Sequence, residues 1–164
     1  MTLIRDGLLA IYNDLATEIA EAAPVCDLSG RCCRFKEYGH TLFISRPEAE
    51  LLLELPLSEN ASFDESGCPF QVNGLCTARD HRPLGCRVYY CDPKYSGTGE
   101  ALSERYIARL KQLHEETRTA WEYRPLHKFL GEAFGQPTNR EELTQAAPGN
   151  GFDHAGQGIL PISM

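Results

Sequence analysis

The sequence predicts a small, α-rich α+β domain in which amphipathic helices flank an irregular cysteine-bearing segment with one short hairpin. Three observations carry that expectation. Apolar residues recur at helical spacing on either side of the middle of the chain, all seven cysteines fall in one window, and Asn73-Gly74 separates two short β-prone runs. At 164 residues and 18.3 kDa there is room for one domain with a real core. A hydrophobic content of 42% with 24% charged residues describes a globular chain and excludes a disordered one. The expected domain covers residues 1–135, with its motif core at 26–91, and residues 136–164 read as a polar extended tail.

The first helix is expected over 3–22. Ile4, Leu8, Ile11, Leu15 and Ile19 fall on one face, acidic residues lie between them, and Pro24 ends the run. Thr41-Leu42-Phe43-Ile44 reads as a short strand. Ser45-Arg46-Pro47-Glu48 then starts a helix: Ser45 is the N-cap, Glu48 completes the S-x-x-E box, and Pro47 is tolerated in the first turn. That helix is expected to run through Leu51, Leu52 and Leu55 and to stop at Pro56. In Phe70–Thr77, Asn73-Gly74 supplies the two positive-φ residues of a type I′ hairpin turn. Ser96-Gly97-Thr98-Gly99 reads as a loop, followed by a long helix from about Glu100 with Leu102, Tyr106, Leu110, Leu113 and Thr117 on one stripe. Pro125 breaks that pattern, and 126–134 forms one more short helix.

The distribution of cysteine carries the chemistry. Cys26, Cys32, Cys33, Cys68, Cys76, Cys86 and Cys91 occupy 66 residues, and the other 98 residues hold none. Thiolate is the preferred ligand of zinc and of iron–sulfur clusters, each of which typically takes four ligands. Seven exceeds one such set and falls one short of two. Paired C-x₂₋₄-C knuckles mark structural zinc, and only Cys86-x₄-Cys91 has that spacing, so spacing points to a metal without choosing which. The competing readings are disulfides, which need an oxidising compartment, buried inert thiols, and redox-active thiols. A mutual disulfide between the vicinal Cys32 and Cys33 would distort the peptide joining them.

Two blocks of this segment resemble a known family. Cys26-Asp27-Leu28-Ser29-Gly30-Arg31-Cys32-Cys33 is similar to a C-x₂-C-x₂-C-C signature with Ser29 in place of its second cysteine. Cys68-Pro69-Phe70, Cys76 and Arg82-Pro83-Leu84-Gly85-Cys86-Arg87-Val88-Tyr89 resemble the C-P-F … C … R-P-x-x-C-R-x-Y block that follows it. Over residues 26–91 the chain thus resembles the YkgJ-type cysteine-cluster proteins, the zinc- or iron-chelating CxxCxxCC domains. Related cysteine blocks occur in flagellin lysine-N-methylases. The resemblance implies metal chelation through the seven cysteines, with an iron–sulfur cluster preferred over zinc. Serine is a poor ligand for a soft metal, and Cys91 is additional to the second block, so Cys91 is expected to take up the role vacated at position 29.

Arg82 and Arg87 flank Cys86. As cofactor-binding residues they would donate hydrogen bonds to a thiolate cluster and offset its charge. The alternative is a structural role on loop carbonyls or against Asp80. Among the histidines, His81 is the best candidate for a non-cysteine ligand, while His40, His114, His127 and His154 read as surface or core residues.

Net charge is −7, and no segment is basic. Residues 1–25 carry one basic and four acidic residues, 26–91 seven and nine, and 92–164 eight and ten. A nucleic-acid partner is disfavoured, and no apolar run is long enough to cross a membrane. The start of the chain lacks a signal peptide's apolar stretch, so the expected location is the cytoplasm, where thiols stay reduced. A protein partner would meet the acidic helices or the C-terminal tail. G-x-G-x-x-G, Walker, G-x-S-x-G and H-E-x-x-H motifs are absent, so any catalysis must come from the metal site itself. The leading expectation is a cytoplasmic metal-binding protein for electron transfer or metal handling. The alternatives are a metal-stapled interaction protein and a metal-dependent enzyme. In each case the cysteine segment has little apolar content of its own, so metal loading is expected to couple to folding.

Overall fold

A computed structural model describes residues 2–58, 61, 63–134 and 152–153. The elements in chain order are α1 (Thr2–Ala22), α2 (Phe35–Tyr38), β1 (Thr41–Ser45), α3 (Arg46–Leu53), β2 (Gln71–Val72), β3 (Leu75–Cys76), α4 (Leu84–Val88), α5 (Ser96–Glu116), β4 (Tyr123–Pro125), α6 (Leu126–Ala133) and β5 (Phe152–Asp153). Two 3₁₀ turns, Arg31–Cys33 and Arg79–His81, interrupt the connections. The α-rich α+β class is as expected.

Two apolar cores divide the molecule. In the first, Leu8, Ile11 and Leu15 of α1 meet Leu102, Tyr106 and Leu110 of α5, with Leu84 and Val88 of α4 against them. Ion pairs rim this helix contact: Arg105 with Glu18, and Arg109 with Asp14. Two acidic residues of α1 are therefore committed to α5. The second core gathers Phe35, Leu42, Ile44, Leu52, Phe70, Leu126 and Leu130. Cys86 lies within it, and Cys32, Cys68 and Cys76 pack against it.

Glu48 joins the two. It is 1% exposed, and its carboxylate accepts from four donors. The Tyr12 hydroxyl and the Leu84 N–H reach Oε1, each at 2.7 Å. The Ser45 N–H and hydroxyl reach Oε2 at 2.7 and 2.8 Å. The capping box is thus also a buried hub, tying α1, β1, α3 and the start of α4 to one side chain. Burial of a carboxylate is tolerated because each oxygen is bonded.

Several elements depart from the sequence expectation. Ser96–Gly99 is the first turn of α5 rather than a loop. Gly99 is set by packing, since a Cβ there would lie 2.9 Å from the Tyr95 ring and 3.1 Å from the Val88 carbonyl oxygen. The chain gives up helix propensity there to let α5 approach α4. α3 ends at Leu53, short of Leu55. The segment 26–91 is less irregular than expected, since it contains α2, α4 and two 3₁₀ turns. β1 is the centre of a three-stranded antiparallel sheet in the order β4-β1-β5, with Phe43 opposite Pro125 and Leu42 opposite Phe152. Phe152–Asp153 therefore forms a strand within the stretch read as tail; the rest of 136–164 lies outside the described residues. The hairpin is as expected, with Asn73 at φ 51° and Gly74 at φ 79° and Gln71 opposite Cys76.

Candidate metal centre

Short-range hydrogen bonds bring the two cysteine blocks together. The Cys68 N–H donates to the Cys33 carbonyl at 2.8 Å. The neighbouring Gly67 allows this approach, because a Cβ there would stand 2.9 Å from that carbonyl oxygen. Gly30, at φ +68°, turns the chain into the 31–33 turn, and the Gln71 amide of the hairpin donates to its carbonyl at 3.0 Å. Cys76 ends β3, Cys86 sits in the middle of α4, and Cys91 follows α4.

The outcome is one cavity of about 780 Å³, open solvent at its mouth included, whose wall contains all seven cysteines. Arg79, Arg82, Ser29 and Tyr89 also line it. Cys33 and Cys86 are buried, Cys26 is exposed, and the other four are half-buried. Cys32 Sγ and Cys33 Sγ are 3.9 Å apart. Sharing a wall is not the same as converging on a point. Among the described residues, no group of three or more Cys, His, Asp or Glu side chains stands ready to hold one metal ion. The donor chemistry nonetheless suits a soft centre, with thiols in excess and guanidinium groups beside them.

Electrostatics divides the thiols further. Cys33 bonds to the side chains of Cys32, Cys68 and Cys76, which pushes its own thiol far up. The same bonds hold Cys76 down to about 6 against the opposing effect of burial, with help from the Ala78 backbone and from Arg82 and Arg79. Cys32 falls to about 7, chiefly through its bond with Cys33. Burial pushes Cys86 well up, reinforced by Cys68, Cys32 and Cys76. Cys33 therefore keeps its proton and donates, while Cys32 and Cys76 are favoured as thiolates.

Two arginines of the cavity wall, Arg79 and Arg82, differ from most of the others. Arg5, Arg46, Arg105, Arg109 and Arg124 each pair with a carboxylate. Among the described residues no ion pair engages Arg31, Arg79 or Arg82. Arg82 lines the cavity and donates to the Arg79 carbonyl at 3.1 Å. Arg87 points to the scaffold. It donates to the carbonyls of Arg82 and Asp80, each at 2.6 Å, and its guanidinium lies 4.0 Å from the Tyr12 ring centroid. Arg87 is not part of the cavity wall.

Among the histidines, His81 lies 3.7 Å from Glu54, away from the cavity wall. His40 is buried between Phe35 and Tyr89, the His114 Nδ1 is 3.0 Å from the Ala120 carbonyl oxygen, His127 lies 3.7 Å from Glu65, and His154 is outside the described residues. Sequence reasoning passed over Arg79 and gave Tyr89 no role, although Tyr89 closes the second cysteine block. Tyr89 bonds to Cys91, and burial together with the nearby Cys91 and Cys32 raises its hydroxyl. Cys91 Sγ is 3.3 Å from Ser29 Oγ. No helix among the described residues is long and apolar enough to cross a membrane. Compared with protein-family models, curated proteins and solved structures, the chain finds no match in any of the three.

Proposed function

We propose that this protein binds a soft metal centre through its clustered thiols, an iron–sulfur cluster in preference to zinc. The observation that carries the reading is the common cavity: seven thiols from separate stretches of chain line one wall beside Arg79 and Arg82, which no ion pair engages among the described residues. A thiolate-ligated centre is anionic, and Arg79 and Arg82 would offset that charge. The preference for iron–sulfur rests on the resemblance of residues 26–91 to the YkgJ-type family.

When bound, an iron–sulfur cluster supplies one-electron transfer and zinc supplies a structural clamp or a Lewis acid. The chain's own residues set the conditions. Cys32 and Cys76 are held as thiolates near neutral pH and offer ready ligands. Cys33 and Cys86 keep their protons until a cation displaces them, so loading releases protons and strengthens as pH rises. A reducing cytoplasm would keep all seven thiols available.

Anaerobic purification followed by elemental analysis and an ultraviolet–visible spectrum tests the proposal. Iron with sulfide and a broad visible absorption that dithionite bleaches is the expected outcome. Zinc in a colourless protein would remove the electron-transfer role and leave metal binding. A protein free of both metals, and unable to take either up, would overturn the reading.

A further inference from the structure

The mouth of the cavity gathers exposed apolar side chains. Leu28 and Leu75 both line the cavity, yet each is 56% exposed. Val25 and Val72, in the same two segments, are exposed at 67% and 40%. Four of the seven exposed large apolar side chains among the described residues thus lie here. The segments stand side by side. The Gln71 side chain donates to the Gly30 carbonyl at 3.0 Å, and a Cβ on Gly30 would lie 2.8 Å from the Gly74 carbonyl oxygen. Apolar side chains scattered singly over a surface are ordinary, but a contiguous group marks a contact site.

Folding does not account for Leu28. Its backbone has φ 54°, in the left-handed region where a bulky residue is a rare outlier. An exposed side chain offsets little of that cost through packing. The segment is nevertheless held on both sides of Leu28. The Val25 N–H donates to Asp92 Oδ2 at 3.2 Å, and the Arg34 guanidinium donates to the Ser29 carbonyl at 2.9 Å. Leu28 is therefore presented in a fixed place, which lowers the entropy lost on contact.

The rim is also the basic part of an acidic chain. Segments 25–34 and 70–82 carry four arginines and two aspartates, in a chain of net charge −7. Arg34 pairs with Glu37, and the Asp27 carboxylate accepts the Ser29 N–H at 3.1 Å. Arg79 and Arg82 belong to the cavity wall; Arg31 stands outside it and adds its charge to the rim whatever the cavity holds.

We infer that the cavity mouth is a docking surface for an acidic protein partner, one that presents an apolar side chain between carboxylates. The apolar side chain would seat between Leu28 and Leu75, and the carboxylates would meet Arg31, Arg79 and Arg82. The inference goes beyond the metal-binding reading and does not rest on it. It places the partner at the mouth and not on the acidic helices, where Asp14 and Glu18 of α1 are already committed to α5. Repulsion from the acidic remainder leaves the mouth as the face an acidic partner can approach, which orients the encounter. A second copy meeting rim to rim would set arginine against arginine. An anionic bilayer is broad enough to meet the acidic remainder as well, and a flat surface does not enter a concave mouth.

Panning the full, reduced chain against a phage-displayed library of random peptides tests the surface. Peptides that pair Leu, Ile or Phe with Asp or Glu are expected to be enriched, and to bind more weakly as salt rises. The Leu28→Asn/Leu75→Thr variant removes the apolar rim with residues the backbone accepts, since Asn tolerates the left-handed region and Thr suits a strand. Its urea midpoint should equal or exceed that of the wild type, while peptide binding weakens at least about tenfold. Arg31→Glu should weaken binding about threefold and flatten its salt dependence. No enrichment, enrichment of peptides without carboxylates, or equal binding to the double variant would overturn the docking surface. A lowered urea midpoint in the double variant would overturn it too, by showing that Leu28 and Leu75 serve folding. Binding to vesicles of phosphatidylserine and phosphatidylcholine that the double variant loses would replace the protein partner with a membrane. Self-association lost in the same variant would replace it with a second copy. Metal content is measured separately, so failure here leaves the metal-binding reading standing.

Discussion

The α1–α5 layer and the cysteine layer of this protein are built on different terms. In the helical layer, Leu15 and Tyr106 are 0% exposed, and the charges at its rim pair across the helix contact. No cysteine belongs to that core. In the cysteine layer, donors outnumber their partners. One thiol is exposed, four are half-buried, and among the described residues no ion pair engages Arg79 or Arg82 of the cavity wall. One region is closed by apolar packing with paired charges at its rim, while the other gathers thiols and arginines around an open cavity. The helical layer is expected to hold its structure alone, and the cysteine layer to be completed by what it binds.

Glu48 is where the comparison breaks, because it serves both layers. Glu48→Ala removes the acceptor for the Tyr12 hydroxyl, the Ser45 N–H and hydroxyl, and the Leu84 N–H. Stranding several buried donors and opening a cavity is expected to cost about 4 kcal/mol. Urea unfolding followed by circular dichroism measures it. Because Leu84 begins the helix that carries Cys86, metal uptake should fall together with stability. A variant that unfolds more readily but loads metal normally would separate the layers and show Glu48 to be a hub for the helices only.

Metal depletion separates the layers from the other side. The sequence suggests that metal loading couples to folding of the whole domain, but the structure narrows that expectation. The α1–α5 contact contains no ligand, so its helical signal is expected to survive metal removal. Amide exchange should rise instead over the 31–33 turn, the hairpin and α4. At a hundredfold excess over its dissociation constant, the metal would add about 2.7 kcal/mol to whatever region it closes. Equal loss of protection along α1 and α5 would mean that the two layers fold as one unit.

What was legible in the sequence divides along the same line. Helical periodicity exposed α1 and most of α5, because a buried stripe repeats in sequence as it does in space. The Ser45–Glu48 box and Asn73-Gly74 were legible because each encodes a local hydrogen bond or a local φ. The first turn of α5 was not, since Gly97 and Gly99 read locally as a loop. The reason for Gly99 lies across the fold, in the Tyr95 ring and the Val88 carbonyl. The second role of Glu48 was equally hidden, because two of its donors, Tyr12 and Leu84, are 36 residues away on either side. The site was legible as a list of thiols and not as a grouping. Nothing local in Cys91 says that it stands beside Ser29, and nothing in Arg87 says that it supports Tyr12 instead of lining the cavity.

The smallest effect lies at the far edge of the cysteine layer's core, and it tests how much of that layer depends on paired charge. Arg124, 9% exposed, donates to Glu132 Oε2 at 2.6 Å and stacks 4.2 Å from the Phe129 ring centroid. The bond to Arg124 holds the Glu132 carboxyl below its ordinary 4.5, with the charges of Arg124 and Arg46 acting in the same direction. A carboxyl lowered in the folded state stabilises above its unfolded value and loses that contribution as pH falls through the folded one. Glu132 is itself largely exposed, so solvent screening limits Glu132→Gln to about 0.5 kcal/mol at pH 7. The difference between wild type and variant should shrink to nothing as the pH falls below 4.5 and passes the folded value, read as converging urea midpoints. A gap that persists in acid would show that the carboxylate acts through its hydrogen-bond geometry and not its charge. The edge of the cysteine layer would then depend on shape, as the helical layer does.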